Sequence, residues 1–270
     1  MKYCRFLLDD TIHYGALQEN GGELWIADAA PAPAEDMEYR LALEQNQGIR
    51  FDFEPMPLSS ASLLPPVTPT KIVCVGRNYR EHVRELGNEM PTEPLLFFKP
   101  PSALLKPGGT IVLPAISGRV DFEGELALVI GRRTRKFPRD GNWRDAVRGL
   151  TLANDISARD LQKKDAQWTR AKGFDTFCPV GPIVSDELDL EAGLKLETRL
   201  NGDLRQASST LDFIFSVPEL LSAITEAMTL EPGDLVLTGT PAGVGPLAPG
   251  DRVEVSVPGL GTLANLVEAD

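Results

Sequence analysis

The sequence predicts a mainly β (α+β) fold of mixed sheets with few helices, on three observations. From residue 71 onward short apolar runs recur between Gly and Pro punctuation, at 72–75, 95–98, 110–113, 126–130, 149–154, 194–200, 235–238, 252–257 and 261–267. Helical spacing is clearest over 213–228, where Val217, Leu220, Leu221, Ile224 and Met228 fall on one stripe and Pro218 suits a first turn. The strands do not alternate regularly with helices, which argues against a doubly wound parallel sheet.

The elements before residue 71 carry less chemistry. Strand-like pieces at 3–8 and 23–26 precede a helix expected over 34–47, which starts after the breakers Pro31 and Pro33. Pro55, Pro57, Pro65, Pro66 and Pro69 then crowd a stretch that can sustain neither helix nor central strand. The chain is therefore divided into a small N-terminal domain with a Pro-rich linker, 1–69, and a main domain, 70–270.

With 270 residues, 42% of them hydrophobic, a sizeable core is assured. A formal charge of −12 argues against nucleic acid and anionic lipid as partners, because both need a basic surface. Arg5, Asp9, Asp10 and His13 interrupt the first seventeen residues, leaving no apolar stretch for a signal peptide or membrane span, so a cytoplasmic protein is expected. Cys4, Cys74 and Cys178 are odd in number and far apart, and read as reduced core thiols.

The most informative segment is 120–130, where Glu123 and Glu125 interrupt what otherwise reads as buried strand. Residues i and i+2 share a strand face, continued by Ala127 and Val129, while Leu126, Leu128 and Ile130 line the other. Two adjacent carboxylates there repel each other and lose hydration, a conflict that a divalent cation removes. Asp155, ending the apolar run 150–154, is the best third ligand, with Asp160 and Asp165 competing from the charged segment that follows. Three carboxylates with open positions suit Mg2+ or Mn2+; Ca2+ usually wants more protein oxygens, and two histidines in the whole chain disfavour zinc.

A polar segment with helical propensity begins after Val75. His82 and Glu85 lie three apart, so one helical turn brings them together, and a carboxylate on one imidazole nitrogen makes the other a better base. A surface helix of mixed charge is the competing reading; the shaped turn of Gly76, Arg77, Asn78 and Tyr79 favours a functional one, and these last three join the substrate-binding candidates. His13 is assigned no role. Lys172, near Trp168 and Phe174, either neutralises a substrate oxyanion or pairs with Asp175. The loop 238–245 follows a strand, and its glycines suit a structural turn or a carboxylate-binding loop better than a phosphate site.

Taken together and in order, Gly76-Arg77-Asn78-Tyr79 with His82 and Glu85, Phe122-Glu123-Gly124-Glu125, Asn154 to Asp160, Trp168 to Lys172 and Thr238-Gly239-Thr240-Pro241 resemble the fumarylacetoacetate hydrolase family over roughly 70–268. The resemblance implies a mixed β-sandwich roll, usually in a homodimer. It implies Mg2+ or Mn2+ held at Glu123, Glu125 and Asp155, and a His82–Glu85 dyad that activates water on a short lid helix. Arg159, Gln162, Lys172 and Thr240 match positions that contact the substrate or its enolate. The implied substrate is a small anionic 2-oxo acid, and the leading reaction is C–C hydrolysis of an acylpyruvate. The alternatives are 2-hydroxyhepta-2,4-diene-1,7-dioate isomerisation and decarboxylation of 5-oxopent-3-ene-1,2,5-tricarboxylate or oxaloacetate. A non-catalytic metal-binding protein is the reading from a different class.

Overall fold

A computed structural model of the chain describes residues 1–31, 33, 35–36, 53–85, 87 and 89–270. The helix expected over 34–47 falls almost wholly outside the described residues. The N-terminal segment supplies β1 (Lys2–Leu8), β2 (Thr11–Asn20), β3 (Glu23–Ala29), β4 (Met56–Pro57) and β5 (Ser62–Leu64). Then follow β6 (Ile72–Gly76), helix α1 (Arg80–Glu85), β7 (Leu95–Lys99), β8 (Leu104–Leu105), β9 (Thr110–Leu113), β10 (Val120–Phe122), β11 (Gly124–Ile130) and β12 (Val147–Asn154). The remainder is β13 (Ser157–Ala158), α2 (Arg159–Lys164), α3 (Thr169–Gly173), β14 (Cys178–Ser185), β15 (Lys195–Leu200), β16 (Asp203–Ser209), α4 (Val217–Ala227), β17 (Leu235–Leu237), β18 (Gly245–Pro246), β19 (Arg252–Val257) and β20 (Gly261–Ala269).

The predicted mainly β, mixed-sheet class is what the chain adopts. A 12-stranded sheet runs β4-β3-β2-β1-β14-β12-β11-β17-β6-β7, with β5 on β1 and β8 on β14. It is mixed because β17 and β6 are parallel while β11, β12 and β14 are antiparallel neighbours. A 5-stranded sheet, β16-β15-β19-β20-β9, and a 3-stranded one, β13-β10-β18, complete the framework. β1 pairs with β14, so the strands described before residue 70 extend the main sheet.

The segment 120–130 is buried throughout and covered on both faces, as its composition predicts. Leu126, Leu128 and Ile130 enter a core with Leu220, Leu221 and Ile224 of α4 and with Leu196, Val255 and Leu263 of the 5-stranded sheet. Ala127 and Val129 pack on the opposite side with Cys74, Ala153, Cys178, Leu235 and Leu237. One expectation needs correcting. The run is not a single strand but breaks at Glu123, where the chain leaves the 3-stranded sheet and enters the 12-stranded one.

Helix α4 starts where the apolar stripe predicts it. The Glu219 carboxylate accepts from both the Ser216 backbone N–H and its hydroxyl at 2.9 Å, closing the first turn that Pro218 occupies. Cys4, Cys74 and Cys178 are free and buried, and burial pushes the Cys4 and Cys178 thiols up to about 12. Among the described residues no helix is long and apolar enough to cross a membrane.

Candidate active site

The break at Glu123 builds the site. The Glu123 N–H donates to Asn154 Oδ1 at 2.9 Å, and the Asp155 N–H donates to Glu123 O at 2.8 Å, tying the end of β12 to the seam between sheets. Glu125, two residues on, stands opposite Ala153 in the β11–β12 ladder. Glu123, Glu125 and Asp155 are all buried and each brings a carboxylate oxygen within 4.8 Å of the others. The donor set of hard oxygens fits Mg2+ or Mn2+. Of the competing ligands, Asp160 accepts from Ser117 Oγ at 2.6 Å and the Gly118 N–H at 2.9 Å, and Asp165 pairs with Arg170. Both stand outside the acidic group.

Cationic side chains compensate most of this buried charge. Lys172 Nζ donates to Asp155 Oδ2 at 2.5 Å and Glu123 Oε2 at 2.8 Å, so its partners are these carboxylates and not Asp175. Arg159 pairs with Glu123 and donates to Asp121 Oδ2 at 2.9 Å. Burial pushes the Glu123 carboxyl up, but Arg159 and Lys172 together overcome it and hold the group well below the usual carboxylate range. Glu125 goes the other way. Burial first, then the charges of Asp155 and Glu123, raise it well above that range, with Lys172 and the Gly239 N–H opposing them. A raised folded-state carboxyl stabilises the fold below the ordinary carboxylate range and loses that contribution as pH climbs toward the raised value. Chelator-treated protein should therefore lose stability as pH rises above about 4.5, by up to about 1.4 kcal/mol per pH unit. Saturating Mn2+ should remove the slope. Denaturation midpoints across pH 5–8 with EDTA and with Mn2+ check this; identical slopes would contradict it.

Three contributors were not read from the sequence. Lys99 is 1% exposed and donates to Asp155 Oδ1 at 2.5 Å and Ile156 O at 3.0 Å. Its signal was weak: a lysine ending an apolar run reads as a solvated strand tip, though it shares a strand face with Phe97, which lines the cavity. Asp121 is buried between Arg119 and Arg159. Gln206, on the 5-stranded sheet, accepts from the Gly124 N–H at 3.0 Å and donates to Thr240 Oγ1 and Pro241 O at 2.8 Å. The Thr240 hydroxyl in turn donates to Gly124 O at 2.9 Å. Gln206 and Thr240 thus clamp the glycine that separates the two glutamates, where a Cβ would meet Thr198 Oγ1 at 2.0 Å.

A cavity of about 360 Å3 opens over the carboxylates, lined by Arg77, His82, Arg159, Gln162, Lys172 and Thr240 among others. His82 is 5% exposed and its Nδ1 lies 3.2 Å from Glu85 Oε2, the contact expected one helical turn apart. Glu85 also accepts from the Gly243 N–H at 3.1 Å, so the loop after β17 latches the helix that carries the pair. Gly243 has φ +98°, and a Cβ there would sit 2.0 Å from Arg205 O. Gly243→Ala should lower stability by about 1–2 kcal/mol or more, the cost of a left-handed backbone alone. Urea denaturation checks it, an unshifted midpoint showing that the loop tolerates a side chain.

Arg159 Nη1 donates to Gln162 Oε1 at 2.9 Å, which fixes both at the cavity wall. Asn78 and Tyr79 are set back from the cavity. Asn78 is fully buried, donating to Thr238 O and accepting from the Phe215 N–H, both at 2.9 Å, so its amide is spent on backbone. Tyr79 stacks edge-on against Phe213 with ring centroids 5.0 Å apart. His13 packs between Phe6 and Phe53, away from the site.

Residues 71–268 match the family description Fumarylacetoacetate (FAA) hydrolase C-terminal, and the chain belongs to that family. Oxaloacetate tautomerase YisK of Bacillus subtilis is 40% identical over 224 residues, 78% of this chain and 74% of that protein. The crystal structure of 5-carboxymethyl-2-hydroxymuconate delta-isomerase from Mycobacterium smegmatis superposes with TM-score 0.85 at 37% identity, covering 100% of this chain and 99% of that one. Maleylpyruvate hydrolase from Sphingobium sp. SYK-6, solved with manganese (II) ion and pyruvate, gives 0.76 at 34% identity, with coverage of 100% and 99%. These three relatives are, by name, a tautomerase, an isomerase and a hydrolase.

Proposed function

We propose that this protein forms or protonates the enolate of a 2-oxo carboxylic acid, with C–C hydrolysis of an acylpyruvate as its leading reaction. The observation that carries this reading is the meeting of Glu123, Glu125 and Asp155 beside Lys172 in a cavity that also contains His82. Mg2+ or Mn2+ held by the three carboxylates would supply Lewis-acid stabilisation of charge on the 2-oxo oxygen. Glu85 occupies Nδ1 of His82, which leaves Nε2 to take a proton from water. The resulting hydroxide adds to the distal carbonyl carbon. The C–C bond then breaks, its electron pair passes to pyruvate as an enolate, and protonation at carbon completes the reaction. Lys172 spends two of its three N–H donors on Glu123 and Asp155, leaving one for the enolate oxygen.

Keto–enol interconversion without hydrolysis is the second reading, favoured by the similarity to an oxaloacetate tautomerase. It needs the same electron sink and no attacking water. The test is turnover of acetylpyruvate, fumarylpyruvate and oxaloacetate with Mg2+ or Mn2+, repeated in EDTA. Hydrolysis of an acylpyruvate that EDTA abolishes supports the first reading, and enol–keto exchange alone the second. An ion that raises the melting temperature while no 2-oxo acid reacts would overturn both, in favour of a non-catalytic metal-binding protein.

A further inference from the structure

One short loop holds a carboxylate of the acidic group and the carboxylate that orients His82. The Gly239 N–H donates to Glu125 Oε2 at 2.7 Å, and four residues later the Gly243 N–H donates to Glu85 Oε1 at 3.1 Å. The residues between belong to no helix or strand. Their backbone therefore takes its position from neighbouring side chains, not from a ladder or a helical turn.

Gln206 of β16 grips the middle of this loop. Its Nε2 spends one N–H on Thr240 Oγ1 and the other on Pro241 O, both at 2.8 Å, and its Oε1 accepts from the Gly124 N–H at 3.0 Å. The Thr240 hydroxyl closes the ring by donating to Gly124 O at 2.9 Å. Gly124 separates Glu123 from Glu125, so one amide ties the loop to the strand that carries both glutamates. Gln206 is 0% exposed and is not among the residues lining the cavity. A polar side chain buried there is costly unless every bond is made, and packing alone would be served by an apolar one of similar size. Two donors and one acceptor, aimed at two segments, are what an amide offers and a carboxylate or a methionine does not.

We propose that Gln206 is a positioning residue that couples the acidic group to the His82–Glu85 pair: pinning the loop at Thr240 and Pro241, it holds Gly239 against Glu125 and Gly243 against Glu85. This rests on the ion-binding part of the reading above and adds a link between that site and the pair. Whatever fixes Glu125 then also firms the grip on Glu85, and the dependence is mutual.

The test is a calorimetric titration of the chelator-treated, dialysed protein with Mn2+. Gln206→Met keeps much of the volume without donor or acceptor, and should bind Mn2+ about tenfold more weakly, the scale of a lost hydrogen bond or two. Thr240→Val cuts the same link from the other end and should cost a similar factor, while Thr240→Ser, which keeps the hydroxyl, should recover most of it. The double variant Gln206→Met, Thr240→Val should lose much less than the product of the two factors, because both break one link. Amide hydrogen exchange followed by mass spectrometry gives a readout that needs no variant: in the wild type, Mn2+ should slow exchange over residues 239–243, and in Gln206→Met it should not. Gln206→Met that is less stable yet binds Mn2+ with wild-type affinity, losses that multiply in the double variant, or wild-type exchange over 239–243 that Mn2+ leaves unchanged would each overturn the coupling and leave the ion site standing. A wild type that binds no Mn2+ would overturn both.

Discussion

His82→Ala should lower acylpyruvate hydrolysis by about 10²-fold or more, the scale of general-base catalysis, and lower keto–enol exchange of oxaloacetate much less. The difference follows from what the residue touches. Glu85 fixes His82 through Nδ1, and His82 lines the cavity over the carboxylates without being one of the acidic group. On the proposed mechanism, removing the imidazole would take away the acceptor for the proton of the attacking water and leave Lys172 and the three carboxylates where they are. Exchange at the carbon beside the 2-oxo group would depend on that second set. Glu85→Gln should show the same bias in weaker form, because an amide still accepts from the Gly243 N–H but no longer stabilises a protonated imidazole. Paired assays of both reactions on each variant check this. Losses of equal size in the two reactions would mean that His82 is not reserved for water.

Lys99→Met should destabilise the chelator-treated protein by about 3–5 kcal/mol, the cost of stripping one partner from a buried ion pair. Asp155 is completely buried, and its two oxygens are divided between two lysines, Oδ1 to Lys99 and Oδ2 to Lys172. Methionine fills much of the volume but leaves Oδ1 without its cation. Added Mg2+ should recover part of the loss by binding the folded state alone. Urea denaturation of both proteins with and without Mg2+ measures it; a loss below about 1 kcal/mol would show that Lys99 is not the main counter-charge of Asp155.

These two variants also mark the boundary of what was legible in the sequence. His82 and Glu85 are neighbours through one helical turn, and Glu123 and Glu125 through one strand period, so local geometry reveals both pairs. The stripe of α4 and the doubly covered face of β11 are local in the same sense. Lys99 meets Asp155 across 56 positions and Gln206 meets Gly124 across 82, through sheet pairings that no local period encodes. The division of segment 120–130 at Glu123 was hidden for a related reason. Every residue in it is buried, so the alternation that marks one strand's faces does not reveal a change of sheet. Asn78 was misleading because a polar residue in a glycine-led turn looks exposed, whereas its amide closes three backbone gaps in the interior.

The lysines around Asp155 bear on the order of events when the protein is made. In small zinc domains the ligands repel until the ion arrives, and the apo chain stays unfolded. Here Lys99, Lys172 and Arg159 already offset the charge of Asp155 and Glu123, and burial with the charges of Asp155 and Glu123 raises the Glu125 carboxyl, which favours its neutral form. The polypeptide can thus finish its architecture on internal charge alone, so an ion held by the three carboxylates would join a fold that is already complete.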